Sequence, residues 1–183
     1  KISQGAACAE RLGDVIDQSP DVQEAPGAVA APVDPKELVY EDVSFSYAGG
    51  VKALDGYDVR FRRGELAALV GRNGAGKSTA AALALRLFDP TSGKVTLDGA
   101  NLTGLTLVSL RARVGLCLQT TFLFGHTIRE NLLIGMPEAS EEELWAALKL
   151  AGADDMVRAL PQGLDTKLGS SGAGLSGGQK HRI

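Results

Sequence analysis

The sequence predicts an α/β protein, and three observations predict it. Apolar and polar residues alternate at 43–47 and 57–62, as they do in half-buried strands. A continuous apolar run at 66–70 is typical of a strand covered on both faces. It leads through a glycine-rich loop, 71–76, into an Ala- and Leu-rich stretch, 77–88, that favours a helix before Pro90. Strands and helices that alternate in this way define the α/β class.

Later elements follow from the same reasoning. Val95 and Leu97 lead into a turn at Asp98–Gly99, and 114–118 are predicted to form a second buried strand that ends at Gln119. Ser140 and Glu143 have the spacing of a capping box, and another helix begins at Ser176. The helix after Ser140 has an apolar face at i, i+3, i+4 and i+7, formed by Leu144, Ala147, Leu148 and Ala151.

The N-terminal region differs in composition from the rest. Residues 5–17 favour a short helix, and 18–37 contain four of the seven prolines, which predicts an extended linker with little to bury. The globular part then begins near Leu38. Because the chain begins inside a helical pattern and stops at Ile183, a few residues into another, we expect it to be part of a longer protein.

Composition and charge exclude several classes. The 183 residues are 44% hydrophobic and 22% charged, which is ordinary for a globular domain. The net charge of −3 gives no basic field for nucleic acid, and no apolar run approaches the ~20 residues that span a bilayer. Two distant cysteines make neither a disulfide framework nor a metal cluster, so we expect a reducing, cytosolic setting. Cys8 is incidental, and Cys117 is expected in the core.

The glycine-rich loop has the pattern G-x-x-x-x-G-K-[ST] between a strand and a helix, which is the P-loop pattern. Glycines let several backbone N–H groups point at one anion, and the helix N-terminus adds its positive end. Lys77 supplies a charge for the β- and γ-phosphates, Ser78 a hydroxyl for Mg²⁺, and Thr79 a donor on the α-phosphate side. The predicted ATP-binding residues are Gly71, Arg72, Asn73, Gly74, Ala75, Gly76, Lys77, Ser78 and Thr79.

A second motif narrows the class of P-loop protein. Residues 175–179 (LSGGQ) place a serine hydroxyl and two glycine N–H groups at a helix start, where they suit a phosphate. Together with the P-loop, this segment resembles the signature motif of ABC ATPases. The resemblance implies that a second subunit's ATP is contacted in trans by Leu175, Ser176, Gly177, Gly178 and Gln179. It also implies a P-loop NTPase core with an antiparallel β subdomain and an α-helical subdomain that carries the signature.

The resemblance extends to two further site residues. Tyr47, in the segment Phe45-Ser46-Tyr47, resembles the aromatic residue that stacks on adenine. Gln119 resembles the Q-loop glutamine, which touches Mg²⁺ and the attacking water. The implied cofactors are therefore ATP and Mg²⁺, with Ser78 and Gln119 at the metal. Without the resemblance, we would interpret Tyr47 as a core residue of an edge strand and Gln119 as a polar residue at the end of a strand.

Other segments resemble ABC exporters of the multidrug and lipid-exporter type. They are 122–132, 144–153 and 160–166, in the part of such domains that faces the transmembrane domain. The implied domains are the end of the last transmembrane-domain helix at 1–17, a linker at 18–37 and an incomplete ATP-binding domain at 38–183. The implied partners are a second, head-to-tail ATP-binding domain and a transmembrane domain of the same polypeptide. The implied location is the cytoplasmic face of a membrane.

The sequence departs from the family pattern in several places. Residues 169–172 (GSSG) contain no acid where exporters commonly carry one, and 180–182 (KHR) stand where Arg-Gln-Arg is common. His126 and His181 are expected at the surface. The Walker B aspartate and the catalytic glutamate of the family would follow Ile183, so the C-terminal part of the core is expected to be missing, and the strand edge beside the P-loop strand to be open.

Three alternatives to an exporter domain stay open at this stage. A non-transport ABC ATPase usually carries insertions, zinc clusters or basic arms, none of which is evident here. A free-standing importer ATPase subunit normally begins at the first strand, without residues 1–36. A non-catalytic nucleotide-sensing module would lack the glutamate after Walker B, which this sequence does not reach.

The 183-residue chain on its own is expected to bind nucleotide weakly and not to turn it over, because it contains no general base placed for water. The measurement is phosphate release from MgATP by the purified chain, with Lys77→Ala as control. Turnover that disappears in Lys77→Ala would contradict this expectation.

Overall fold

The structure is a computed structural model that describes residues 12–13, 16–117, 121–169 and 174–183. It divides into an N-terminal unit, which ends at Leu116, and a C-terminal unit, Cys117–Ile183. The helix predicted at 5–17 falls mostly outside the described residues. No helix in the described part of the chain is both long and apolar enough to cross a bilayer.

A four-stranded antiparallel sheet, in the order β2-β1-β3-β4, supports the N-terminal unit. Its strands are β1 (Glu37–Ser46), β2 (Lys52–Arg62), β3 (Ser92–Leu97) and β4 (Ala100–Asn101). The strands predicted at 43–47 and 57–62 are thereby confirmed, apart from Tyr47 just beyond β1, and β3 precedes the turn predicted at Asp98–Gly99. In β1, Val43 and Phe45 are buried while Ser44 and Ser46 are half-exposed. The apolar residues of the alternating sequence pattern therefore lie on the buried face of the sheet, as expected.

Helix α1 (Lys77–Ala84) packs its buried residues into the same core as the sheet. That core contains Tyr40, Val43, Phe45, Leu54, Ala80, Leu83, Ala84, Val95 and Leu97. The prediction that the helix reaches Phe88 is wrong, because it ends at Ala84 and Arg86 adopts a left-handed backbone conformation with φ 49°. Such a residue commonly ends a helix. A short helix, α2 (Leu107–Arg111), completes this unit after the 3₁₀ turn Leu102–Gly104.

The buried strand predicted at 66–70 is not formed. The described residues offer this segment no ladder partner, and the side chains of Leu66 and Val70 are fully exposed. An apolar run becomes a buried strand only when neighbouring strands take up its N–H and C=O groups and other elements cover its faces. Neither condition is met here, so the prediction from composition is wrong for the structure of this chain.

The second buried strand, predicted at 114–118, is likewise absent over its described residues, 114–117. Val114 packs against the core, but Leu116 and Cys117 are exposed. The prediction that Cys117 is a core residue is therefore wrong, because it rested on a strand that does not form. Leu118 and Gln119 lie outside the described residues.

The proline-rich segment 18–37, all of it within the described residues, contains no helix and includes turns and bends, and hydrogen bonds hold it against the N-terminal unit. Val29 forms a parallel bridge with Leu105, and Ala31 is buried in the core cluster. Ala31 is the one residue of 18–37 that is buried, so the segment buries little, as its composition predicts.

The C-terminal unit is helical. Its helices are α3 (Ile128–Leu133), α4 (Glu141–Leu150), α5 (Asp154–Arg158) and α6 (Gly177–Arg182), with a 3₁₀ turn at Gly163–Asp165. Their shared core contains Leu123, Ile128, Leu144, Leu148, Ala153, Val157, Leu164 and Leu168. Only part of the apolar face predicted for α4 is buried. Leu144 and Leu148 are buried, whereas Ala147 and Ala151 are exposed.

Reciprocal caps begin three of these helices. The box predicted at Ser140 and Glu143 is confirmed, and equivalent boxes join Thr127 to Glu130 and Ser176 to Gln179. Each box gives two otherwise unpaired backbone N–H groups a side-chain acceptor. The helix predicted to begin at Ser176 is confirmed by the third box.

Segment 122–132, whose sequence resembles that of ABC exporters, contains a side chain with a clear structural role. Asn131 donates from Nδ2 to the carbonyl oxygens of Phe124 (3.2 Å) and Thr127 (2.8 Å). Its Oδ1 accepts from the Phe124 N–H at 2.8 Å. This amide therefore fixes the loop that precedes α3 and leaves Phe122 and Phe124 exposed, their ring centroids 5.1 Å apart.

One arginine ties three parts of the C-terminal unit together. Arg129 on α3 makes two hydrogen bonds to the Asp165 carboxylate, at 2.7 and 3.3 Å, and an ion pair with Glu141 at 3.1 Å. These bonds hold the pKa of Asp165 below its ordinary value of 3.8. Trp145 packs against the core of the same unit, with the Arg158 guanidinium 4.0 Å from its ring centroid. It is the single tryptophan of the chain, so its fluorescence reports on this unit.

Asp165→Asn is expected to lower the free energy of unfolding of the C-terminal unit at pH 7 and to have no effect in strong acid. A carboxylate whose pKa is depressed by folding stabilises above its unfolded pKa, here near 3.8, and this contribution is lost as the pH falls through the lower folded pKa. Urea unfolding followed by Trp145 fluorescence from pH 7 to pH 2 measures the difference. Glu138→Gln, which removes an exposed carboxylate of the same unit, is the control; an Asp165→Asn effect independent of pH would contradict the assignment.

Candidate phosphate and nucleotide site

The loop 71–76 curls back on itself before α1. The Ala75 N–H donates to the Arg72 carbonyl at 3.1 Å, and both Gly74 (φ 82°) and Gly76 (φ 81°) have left-handed backbones. Two such residues inside one short loop turn successive N–H groups toward the same side. The loop therefore has the concave backbone that the sequence pattern predicts.

Gly76 is required by its surroundings as well as by its φ. A Cβ at this position would lie 2.4 Å from the Ala53 carbonyl oxygen and 2.6 Å from Leu54 Cδ2, both in β2. Real Cβ atoms do not approach so closely. The N-terminus of α1 can therefore lie against β2 only if residue 76 has no side chain.

Lys77 closes the loop with its own side chain. Its Nζ donates to the carbonyl oxygens of Gly71 at 2.7 Å and Arg72 at 2.8 Å. Because an ammonium group has three N–H donors, these two bonds leave one for a further acceptor. The positive charge is thereby held inside the curl of the loop.

The first turn of α1 adds backbone donors to the same place. The turn contains no acidic residue, and no side chain caps the helix. The first N–H groups of a helix have no partners within it, and the positive end of the helix dipole is found there. Backbone donors, dipole and ammonium together make a site for a polyanion such as a phosphate chain. Ser78, the second residue of α1, is exposed on this turn.

Tyr40 fixes α1 at a second point. Its hydroxyl donates to the Ala80 carbonyl at 2.6 Å inside the core. Burial and the nearby Tyr57 raise the pKa of Tyr40, which keeps this hydroxyl protonated and available as a donor. The helix start is therefore held by steric contact at Gly76 and by a buried hydrogen bond at Ala80.

Tyr47 lies beside α1, as its predicted role requires. Its hydroxyl is 3.0 Å from Thr79 Oγ1, and its ring meets those of Phe45 and Phe88 edge-on at 4.9 and 5.6 Å. About 38% of the residue remains exposed. The structure thus brings together Tyr47 and the P-loop helix, which are 32 residues apart in sequence.

A pocket of about 290 Å³ opens beside Tyr47. Its lining includes Asp21, Phe45, Ser46, Ala48, Phe88 and Asp89. Sequence reasoning did not identify Phe88, Asp89 or Asp21 as site residues, since their spacing follows no local pattern. Only the end of α1 and the path of segment 18–37 bring them to Tyr47.

The remaining predicted site residues belong to the C-terminal unit. In the 175–179 segment, Ser176 Oγ accepts from the Gln179 N–H at 3.3 Å, and the Ser176 N–H donates to Gln179 Oε1 at 2.7 Å. The Ser176 hydroxyl proton stays available, because the cap uses the oxygen only as an acceptor. Gly177 and Gly178 have open space where a Cβ would stand. Gln119 falls outside the described residues, as does part of 169–172.

The fold and the loop define a P-loop nucleotide-binding protein, and similarity to known proteins narrows the class. The sequence profile described as ABC transporter matches residues 54–183. The chain is 44% identical over 92% of its length to an uncharacterized ABC transporter ATP-binding protein of Sinorhizobium fredii, of which it covers 29%. It is 39% identical over its whole length to an ATP-dependent lipid A-core flippase of Desulfotalea psychrophila, of which it covers 32%. The chain belongs to the ABC transporter family.

A solved structure agrees with this assignment. The structure of a bacterial Atm1-family ABC exporter with ATP bound superimposes with a TM-score of 0.89 and 38% identity, over 99% of this chain and 32% of that one. The predicted α/β fold of a P-loop NTPase domain is confirmed by this match. The chain spans about a third of the length of these relatives.

Gly76→Ala is expected to destabilise the N-terminal unit far more than Gly74→Ala. Both residues have φ near 80°, so each alanine costs ~1–2 kcal/mol from its left-handed backbone. Only Gly76 adds a steric clash, with Ala53 and Leu54, worth ~1–3 kcal/mol more. Hydrogen exchange of amides in β1, β2 and α1 measures the two effects, and equal losses in the two variants would contradict the close approach.

Proposed function

We propose that this chain binds ATP with Mg²⁺ and, in the full-length protein, powers export of a substrate across a membrane. The observation that carries the proposal is the curled loop 71–76 with the Lys77 ammonium held inside it at the start of α1. Membership of the ABC transporter family supports nucleotide as the ligand.

The phosphate chain would be bound by groups that the loop already presents. The third Lys77 N–H and the unpaired N–H groups of the first helical turn are donors for the β- and γ-phosphates. The exposed Ser78 hydroxyl is a fitting ligand for Mg²⁺, which takes most of its remaining ligands from phosphate and water. Bound Mg²⁺ would offset phosphate charge, and Gln119 is proposed as its further protein ligand.

The base would stack on Tyr47. The half-exposed ring is fixed by Phe45, Phe88 and the bond to Thr79, so little side-chain entropy remains to be lost on binding. Thr79 shares its hydroxyl with Tyr47, and this bond joins the base end of the site to the phosphate end. We propose that Thr79 donates on the α-phosphate side.

The signature segment would act on the ATP of a second subunit. The free hydroxyl proton of Ser176 and the unobstructed backbone at Gly177 and Gly178 suit contact with a phosphate oxygen. The proposed dimer is head-to-tail, so that each site is completed in trans by Leu175 to Gln179. Binding would favour the closed dimer because the closed state alone makes both sets of contacts.

Export is supported by the relatives rather than by the site. Their names include an ATP-dependent lipid A-core flippase and Multidrug resistance protein 3 of Entamoeba histolytica, the latter 42% identical over this whole chain, which covers 14% of that protein. The proposed partner is a transmembrane domain of the same polypeptide, joined through segment 18–37, and the proposed location is the cytoplasmic face of the membrane. The test is ATP-dependent transport by the full-length protein in vesicles, with loss of transport in Lys77→Ala.

Tyr47→Leu is expected to raise the dissociation constant for MgATP about tenfold and to leave that for magnesium tripolyphosphate unchanged. Stacking of a base on an aromatic side chain contributes ~1–3 kcal/mol, and tripolyphosphate has no base. Isothermal titration calorimetry measures both constants. Tyr47→Phe, which keeps the ring, is the matched control and should retain ATP affinity, whereas equal losses for both ligands would contradict the stacking role.

Lys77→Ala is expected to abolish binding of ATP and tripolyphosphate alike in the same titrations. It removes the ammonium charge that the loop holds and leaves the Gly71 and Arg72 carbonyls without this donor. ATP binding that survives in Lys77→Ala would contradict the assignment of the phosphate site.

A further inference from the structure

Arg86 occupies a position where glycine is the usual residue. It follows α1 with a left-handed φ of 49°, a conformation that costs a residue with a Cβ ~1 kcal/mol or more. Its side chain is almost completely buried, since the residue is only 3% exposed. A buried charge in a strained position requires compensating partners. The identity of those partners shows what the side chain does.

The guanidinium of Arg86 joins three segments of the N-terminal unit. Nε and Nη2 donate to the two carboxylate oxygens of Asp89, at 2.8 and 3.3 Å. Nη1 donates to the Leu105 carbonyl at 3.4 Å, and Nη2 donates to the Gln23 carbonyl at 2.9 Å. The last of these acceptors belongs to the segment predicted to be an extended linker.

That segment is held along its length, and we call residues 21–31 the strap. The Val29 N–H donates to the Gly104 carbonyl and the Val29 carbonyl accepts from the Thr106 N–H, each at 2.9 Å. The Ala31 N–H donates to Ser109 Oγ at 2.8 Å, and Glu24 Oε1 accepts from the Leu107 N–H at 2.6 Å. Most of the strap is nevertheless exposed, with Ala31 as its one buried residue. It is therefore bound mainly by hydrogen bonds, and Arg86 is its buried anchor.

The strap also reaches the pocket beside Tyr47. Asp21, its first residue, lines this pocket together with Asp89, the acid that pairs with Arg86. Phe88 belongs to the same lining and contacts the Tyr47 ring. The lining therefore draws on the strap and on the segment that follows α1, and Arg86 hydrogen-bonds to both.

We propose that Arg86 is a positioning residue for nucleotide binding: it clamps the strap so that Asp21 and Asp89 form a wall of the pocket beside Tyr47, where the base would bind. Carboxylates accept hydrogen bonds, and the base and ribose of a nucleotide present amino and hydroxyl donors. The inference rests on the proposed ATP function, because the wall has a role only if the base enters beside Tyr47. Arg86 acts through the strap and touches no ligand atom.

The test compares Arg86→Met with wild-type protein in two measurements. Hydrogen exchange at the amides of Val29, Ala31 and Thr106 reports whether the strap is docked, since all three donate in the docked state. Titrations with MgATP and magnesium tripolyphosphate report the base and phosphate ends separately. Arg60→Met, which removes an exposed arginine of β2, is the matched control.

The expected result is at least tenfold faster exchange in the strap and about five- to tenfold weaker MgATP binding, with tripolyphosphate binding unchanged within about twofold. Arg86→Lys, which keeps the charge, should recover part of both effects. Ser109→Ala removes one strap anchor and leaves Arg86 in place, so it should give smaller changes in the same direction. If Arg86→Met fails to fold, Arg86→Lys replaces it in both measurements, and unchanged strap exchange in that variant would overturn the clamp.

Three results would overturn the inference. Unchanged strap exchange in Arg86→Met would show that Arg86 is not the clamp. A released strap with unchanged MgATP affinity would show that the wall does not bind the base. Equal weakening of ATP and tripolyphosphate in a folded variant would point to general destabilisation. Failure of the proposed function is distinct, because wild-type protein would then bind no ATP at all.

Discussion

The close approach of the start of α1 to β2 is the contact on which the phosphate site depends. At Gly76 the helix lies so near the Ala53 carbonyl that no side chain fits between them. This contact fixes the direction of the first helical turn and hence of its unpaired N–H groups. It also sets where Lys77 leaves the backbone, which lets Nζ reach back to Gly71 and Arg72. The Tyr40 bond to Ala80 holds the same helix from within the core.

The two ends of α1 are used differently. Its N-terminus presents the groups proposed to bind phosphate, while Arg86, just beyond its C-terminus, hydrogen-bonds to the strap. The Thr79 hydroxyl, on the same helix, meets that of Tyr47. A helix of eight residues thus connects the proposed phosphate site to the pocket beside Tyr47, and its buried residues pack into the same core as the antiparallel sheet.

In the C-terminal unit, several residues of the motifs shared with ABC ATPases also stabilise the local fold. Thr127 and Glu130 cap a helix, Asn131 fixes the preceding loop, and Ser176 with Gln179 forms another cap. For Ser176 the cap is compatible with the proposed contact to phosphate, because the cap uses the hydroxyl oxygen only as an acceptor.

The sequence by itself determined the parts whose cause is local. Alternation located β1 and β2, the glycine pattern located the P-loop, cap spacing located α4, and the Ser-Gly-Gly turn located the start of α6, since each depends on residues near one another in the chain. Only the tertiary structure decided the rest. Residues 66–70 and 114–117 are apolar enough for buried strands, but a strand also needs partners for its backbone, which composition cannot supply. Likewise, Arg86, Asp21 and Phe88 gain their roles from packing between distant segments, which no local pattern encodes.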